Sequence, residues 1–218
     1  MATHFEQELE NIKVKLFKMA DYAIEAIARS VDALRRSDVE LAKNVIVHDN
    51  ALDALEKEID EDCIRILVTK QPAAVDLRFV LITLKSNTDL ERIGDLSSNI
   101  AKECIRLGGA PLMKALVDIP AMSAIAMGMI KDVMSAIAEK NAERAREVIR
   151  RDDQIDQLNI QVYRELFSYM IENPATISRA FSLIMVSKSL ERIGDHITNI
   201  AERAVYYIEG VDIRHAGE

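Results

Sequence analysis

Apolar residues recur along this chain at steps of three and four, the spacing that keeps them on one face of an α-helix. Phe5, Leu9, Ile12, Leu16 and Met19 open the pattern, and Ile24, Ile27, Val31 and Leu34 carry it around the same helix. Ser37 with Glu40 reads as a capping box, so the first helix should end near Arg36. The second helix carries Leu41, Val45, His48, Leu52, Leu55, Ile59, Cys63 and Ile66 along its seam. Gln71-Pro72 is a break, with Pro72 suited to the first turn of a third helix. That helix carries Leu77, Leu81, Leu84, Leu90, Ile93, Ser97, Ile100, Cys104 and Leu107.

The plan then repeats. Gly108, Gly109, Ala110 and Pro111 open a linker that runs to about Pro120. A helix follows from about Pro120 to Lys140, and Asn141 caps a long one reaching about Glu172. Asn173-Pro174 matches the earlier break, and the last helix carries Leu183, Val186, Leu190, Ile193, Ile197, Ile200, Ala204 and Tyr207. Alternating threes and fours signal helices packed nearly antiparallel. The expected fold is all-α: two tandem antiparallel three-helix bundles from an internal duplication. The expected boundaries are 1–107, a linker at 108–119, and 120–218.

The duplication is plainest in one string. LERIGDLSSNIA begins at Leu90 and LERIGDHITNIA at Leu190. Glu91, Asp95 and Asn99 lie on one helical stripe, as do Glu191, Asp195 and Asn199. The preceding helix of each unit carries its own acidic stripe: Asp49, Asp53, Glu56 and Asp60 in the first, Asp152 and Asp156 in the second. Asp49 and Asp53 lie as far before Pro72 as Glu91 and Asp95 lie beyond it; Asp152 and Asp156 stand likewise to Glu191 and Asp195 about Asn173-Pro174. A tight turn makes the two helices antiparallel, so each unit should bring two carboxylate pairs to one height.

Like charges so placed repel, by about 4 kcal/mol per pair at 4 Å and an effective dielectric near 20, and about 1 kcal/mol in water. Such a level calls for solvent, basic neighbours or a hard divalent cation with oxygen ligands. The plain alternative is a solvated face on which Arg92 pairs with Asp95, and Arg192 with Asp195, at three-residue spacing. Gly94 and Gly194 argue for something more. A mid-helix glycine costs about 1 kcal/mol against alanine, and close helix approach beside the acids would compensate.

Charge and chemistry narrow the function. The net charge of −8 argues against nucleic acid as a direct partner. Cys63 and Cys104 fall on apolar seams outside any CxxC pair and are expected to be buried, reduced thiols of a cytosolic protein. The N-terminus is too polar for a signal peptide, and the longest apolar run, Ile119–Ile130, is shorter than the roughly 20 residues of a membrane span. The chain is therefore expected to be soluble. Di-iron ExxH pairs, HExxH, zinc-finger sets and phosphate loops are missing from the sequence. His48 reads as a core-edge residue, and His196 points about 100° away from Asp195. No nucleophile–base–orienter set emerges, which argues against catalysis.

LERIGD followed by NIA, in both halves of an all-helical chain of this length, resembles the PhoU family of phosphate-uptake regulators across essentially the whole sequence. Asp76-Leu77-Arg78 also resembles the family's pattern, while Ile177-Ser178-Arg179 departs from it in the second unit. The resemblance implies a cytoplasmic negative regulator of the phosphate-starvation response. It would link the ATPase subunit of the phosphate ABC transporter to the sensor histidine kinase, reach the membrane through those partners, and form a homodimer. Some members bind multinuclear iron or zinc through E/DxxxD motifs, and others carry no metal. The matching positions are Glu91, Asp95, Glu191 and Asp195, with Asp49, Asp53, Asp152 and Asp156 opposite, and Asn99, Asn199, Arg92 and Arg192 in support. The competing expectation is a metal-binding helical protein, holding iron, zinc or another divalent cation for hydrolysis or storage.

Overall fold

A computed structural model describes residues 4–109, 113 and 116–213. Among these the chain is helical throughout: α1 His4–Arg36, α2 Val39–His48, α3 Asn50–Lys70, α4 Ala74–Leu107, α5 Asp118–Glu139, α6 Ala142–Glu172 and α7 Ile177–Glu209, with one 3-10 turn, Pro174–Thr176. The expected six helices become seven because the second one kinks. Asp49 stands between α2 and α3 with helical dihedrals, φ −58° and ψ −35°. His48 Nδ1 lies 2.7 Å from the Asn44 carbonyl, and Asn50 Nδ2 donates to the Val47 carbonyl at 3.1 Å. Side chains competing for ladder carbonyls in this way bend a helix.

Several expected boundaries move. Asp38 caps α2 in place of Ser37: its carboxylate accepts from the Leu41 amide at 2.9 Å, while Ser37 takes a positive φ of 54° and closes α1. A left-handed Gln71 ends α3, and Pro72 stays in the loop outside α4. Asn141 caps α6 as expected, accepting from the Arg144 amide at 3.0 Å. The expected linker at 108–119 is described at 108, 109, 113 and 116–119; its remaining positions, Ala110 and Pro111 among them, lie outside the described residues, as does 214–218 of the expected second unit. α5 begins two residues earlier than Pro120 and reaches Glu139, which makes it long and apolar enough to cross a membrane by length and composition. Half of its most apolar window is buried inside the protein, where α5 packs against α1, α6 and α7.

The two units do not keep separate cores. α4 and α7 pack against each other, and the buried side chains of both units join in one cluster. As α4 advances, its contacts retreat along α7: Arg78 and Phe79 meet Tyr207, the Lys85 carbonyl meets Arg203, and Asp89 meets His196. The two long helices therefore cross antiparallel. This explains why α4 buries Phe79, Val80, Ile82 and Thr83 where a single seam was expected, and why Leu81, placed on that seam, is exposed. His48 is exposed as well, because the kink carries it off the line of Leu52 and Leu55. Cys63 and Cys104 are buried and free. Burial pushes the Cys63 thiol up to about 12, with the carboxylates of Asp60 and Asp62 adding to the effect.

Candidate functional site: two carboxylate levels

In the first unit the hairpin of α3 and α4 meets at Gly94. A Cβ built there would lie 2.6 Å from Leu52 Cδ1 and 2.8 Å from Asp49 Oδ1. In the second, a Cβ on Gly194 would overlap Asp152 Oδ1 and stand 3.2 Å from Ile155 Cδ1. The glycines are therefore the close-approach points. Each repeated motif presses its bare backbone against the acidic stripe of the preceding helix, at the height given by counting from the turn.

The electrostatics follow from that approach. Burial pushes the Asp49 carboxyl up, and Asp95 and Asp53 add to it, against the Ser98 hydroxyl that donates to Asp49 Oδ2 at 2.8 Å. Burial likewise raises Glu91, reinforced by Asp95, Glu56 and Asp53. Glu56 is raised by burial and by Asp60 and Asp53, so the first level extends one turn further down α3 than the expected set. In the second unit burial and the charges of Asp156, Asp195 and Glu191 push Asp152 up to about 6. Asp156 and Asp195 are raised by burial and by Glu191. Carboxylates on both helices of each hairpin thus act on one another, and the eight expected positions fall into two levels of four.

The supporting residues divide differently. Arg92 does pair with Asp95, at 3.0 Å, on an exposed face. In the second unit the cation beside the acids is Lys188, 2.6 Å from Glu191, and Arg192 lies exposed. Asn99 is exposed and takes a bond from Lys102 at 3.1 Å; Asn199 is half-buried. Ser98 and Lys188 escaped the motif-based list, although Ser98 sits one helical turn from Gly94 and therefore on its face.

A buried link joins the two motifs. His196, next to Asp195, reaches across to Asp89, two residues before Glu91, with Nδ1 2.8 Å from Oδ1. Asp89 also pairs with Arg203, whose Nη1 donates to the Lys85 carbonyl at 3.1 Å. Burial and the Arg192 charge hold the His196 imidazolium below its usual range. Neither Asp89 nor Arg203 has a like counterpart in the other unit, where Ser189 and Glu103 stand.

An oxygen-only donor set suits a hard divalent cation. Asp152 Oδ1 is buried without a hydrogen-bond partner, the kind of oxygen a cation would satisfy. Yet among the described residues no three acidic, histidine or cysteine side chains close on one point as a ligand set does. As placed, the carboxylates form levels rather than a preformed metal centre, and no chemical step is routed through a metal.

Known proteins of the same build carry names. The PhoU domain model matches residues 16–104 and again 119–204. The phosphate-specific transport system accessory protein PhoU homolog of Pseudomonas aeruginosa is 37% identical over 220 residues, covering 100% of this chain and 90% of that protein. The homolog of Aquifex aeolicus is 41% identical, with 96% and 95% covered, and the PhoU accessory protein of Escherichia coli is 33% identical, with 98% and 88% covered. Among solved structures, PhoU from P. aeruginosa superposes with a TM-score of 0.91 at 36% identity over 95% of this chain and 100% of that one. The phosphate transport system regulatory protein PhoU from Streptococcus pneumoniae gives 0.89 at 29% identity over 96% and 99%. With two matching domains, near-full-length relatives and the same helical architecture, this chain belongs to the PhoU family.

Proposed function

We propose that this protein is an accessory regulator of phosphate transport that works by binding rather than by turnover. In this reading it acts in the cytoplasm as a negative regulator of the phosphate-starvation response. It joins the ATPase subunit of the phosphate ABC transporter to the sensor histidine kinase, reaches the membrane through them, and is a homodimer. The observation that carries the reading is near-full-length similarity to relatives named as accessory and regulatory proteins of phosphate transport. The carboxylate levels suit it, since a basic partner surface would relieve charges that burial and mutual repulsion have raised. A pull-down from phosphate-replete cells should recover both the ATPase subunit and the kinase. Recovery of neither would overturn the reading.

A second reading is favoured by the unpartnered Asp152 oxygen. Here the levels hold iron, zinc or another divalent cation once the side chains turn inward. Elemental analysis of protein purified without added metal, beside Glu91→Ala/Asp95→Ala and Glu191→Ala/Asp195→Ala, tests it. Metal that is lost in the variants supports it, and protein without metal sinks it.

A further inference from the structure

The end of the molecule at the α6–α7 turn exposes large apolar side chains in register. On α6, Ile160, Phe167 and Ile171 lie within one narrow strip, and on α7 Ile177, Phe181 and Met185 form another. Phe167 is 54% exposed, Ile171 81% and Phe181 50%. Ile171 and Ile177 stand equally far from Pro174 in sequence, as do Phe167 and Phe181, so the strips run side by side on the two arms of the hairpin. Aromatic side chains offer about 150–250 Å² each, which puts the whole face on the order of 500 Å². That lies near the top of the roughly 300–600 Å² a monomer normally leaves open. The same place on the first unit is aliphatic, without an aromatic side chain: Ile64, Val68, Val75 and Leu81.

The face is paired, with the three- and four-residue spacing by which one helix receives another. Its charge narrows the occupant. Arg164 lies in the α6 strip between Ile160 and Phe167, exposed, and has no ion-pair partner among the described residues. The chain as a whole carries −8, yet this strip sets a guanidinium without such a partner among exposed apolar side chains. A carboxylate brought in beside an apolar stripe would satisfy it, preferably in a bidentate pair.

We propose that the outer faces of α6 and α7 at this end form a docking surface for a helix of another protein, apolar on one face and acidic at its flank. A second copy of this chain fits less well, because a two-fold contact through this face adds a second Arg164 to the same interface. The inference stands apart from the adaptor reading: it concerns peptide binding and holds whichever proteins the regulator joins.

The test uses the full chain and two synthetic helices of about three heptads, both with leucine at the a and d positions, one flanked by glutamate and one by lysine. Fluorescence anisotropy should show the glutamate helix binding about tenfold or more tighter than the lysine helix. Phe181→Asp should abolish binding, and Arg164→Glu, which keeps the apolar face, should reverse the preference. Unchanged circular dichroism spectra confirm that both variants fold, and the Arg164→Glu result stands alone if Phe181→Asp fails to fold. No binding of the glutamate helix, or equal binding by Phe181→Asp, overturns the proposal. It is also overturned if sedimentation shows wild-type dimers that Phe181→Asp converts to monomers, or if the face binds phosphatidylglycerol vesicles in place of the peptide.

Discussion

The two units carry the same motif and treat it differently. In the first, the helix opposite the motif kinks at Asp49, and Ser98 donates a hydrogen bond that helps keep that half-buried carboxylate charged. In the second, α6 runs unbroken past Asp152, one of whose oxygens has no partner, and the carboxyl rises to about 6. The same motif in the same register thus yields unequal protonation. Thr198 stands where Ser98 does and its hydroxyl also opposes the rise of Asp152, so what differs is the charge around each half-buried acid: three carboxylates act on Asp152, while two carboxylates and the opposing Lys102 ammonium act on Asp49. Asp152 is therefore poised to take or lose a proton near pH 6, while the rise of Asp49 is opposed by both Ser98 and Lys102.

The largest test asks whether the units are separable at all. Ile93 and Ile193, matching residues of the two motifs, are both fully buried in the shared core. Replacing either with alanine should cost about 2–5 kcal/mol. Calorimetry should show one unfolding transition shifted down in both variants; two transitions, only one of them shifted, would divide the core that the structure joins. Next comes the cross-link. Asp89→Ala leaves Arg203 without its carboxylate in a buried setting and should cost about 3 kcal/mol. Its counterpart Ser189→Ala should cost under about 1 kcal/mol. Equal losses in urea unfolding would mean the asymmetric pair contributes nothing of its own.

The pH test is smaller and falls on the acids themselves. Asp152 takes up its proton near pH 6 in the folded state against 3.8 when unperturbed. Between those values the folded chain holds a proton that the unfolded chain has released. Stability therefore falls as pH rises through that window and stays lower above it. Asp152→Asn removes the fall. It should match wild type below about pH 4 and exceed it by about 1–2 kcal/mol at pH 8, allowing for partial exposure. Melting temperatures across pH 4 to 8 check this, and Asp49→Asn should show a smaller gain. The smallest effect is Ser98→Ala, at about 1 kcal/mol, read as a loss of stability at pH 7 that shrinks as the medium is acidified and Asp49 becomes neutral.

Much of this was legible beforehand. The three-and-four spacing located the long helices because burial on one face needs that spacing, and the break residues located the two hairpin turns. Counting outward from Pro72 and Asn173-Pro174 set the acid pairs of each hairpin at one height and the glycines beside them; the contacts then put Gly94 against Asp49 and Gly194 against Asp152. Helix ends were less legible. Ser37 and Asp38 can both cap, and only the backbone dihedrals decide between them. Leu81 and His48 were misplaced for a different reason: a seam drawn for one helix does not register a second partner or a kink.

The sequence alone therefore determined helices, turns, the duplication and the height of the acids, because each follows from local spacing along one chain. It could not determine that α4 and α7 cross and merge the two cores, since that depends on residues more than a hundred positions apart. The same holds for the Asp89–His196–Arg203 link and for the separate fates of Asp49 and Asp152. Burial, hydrogen bonding and field all depend on what the rest of the fold brings within a few ångströms, and only the tertiary structure supplies those neighbours.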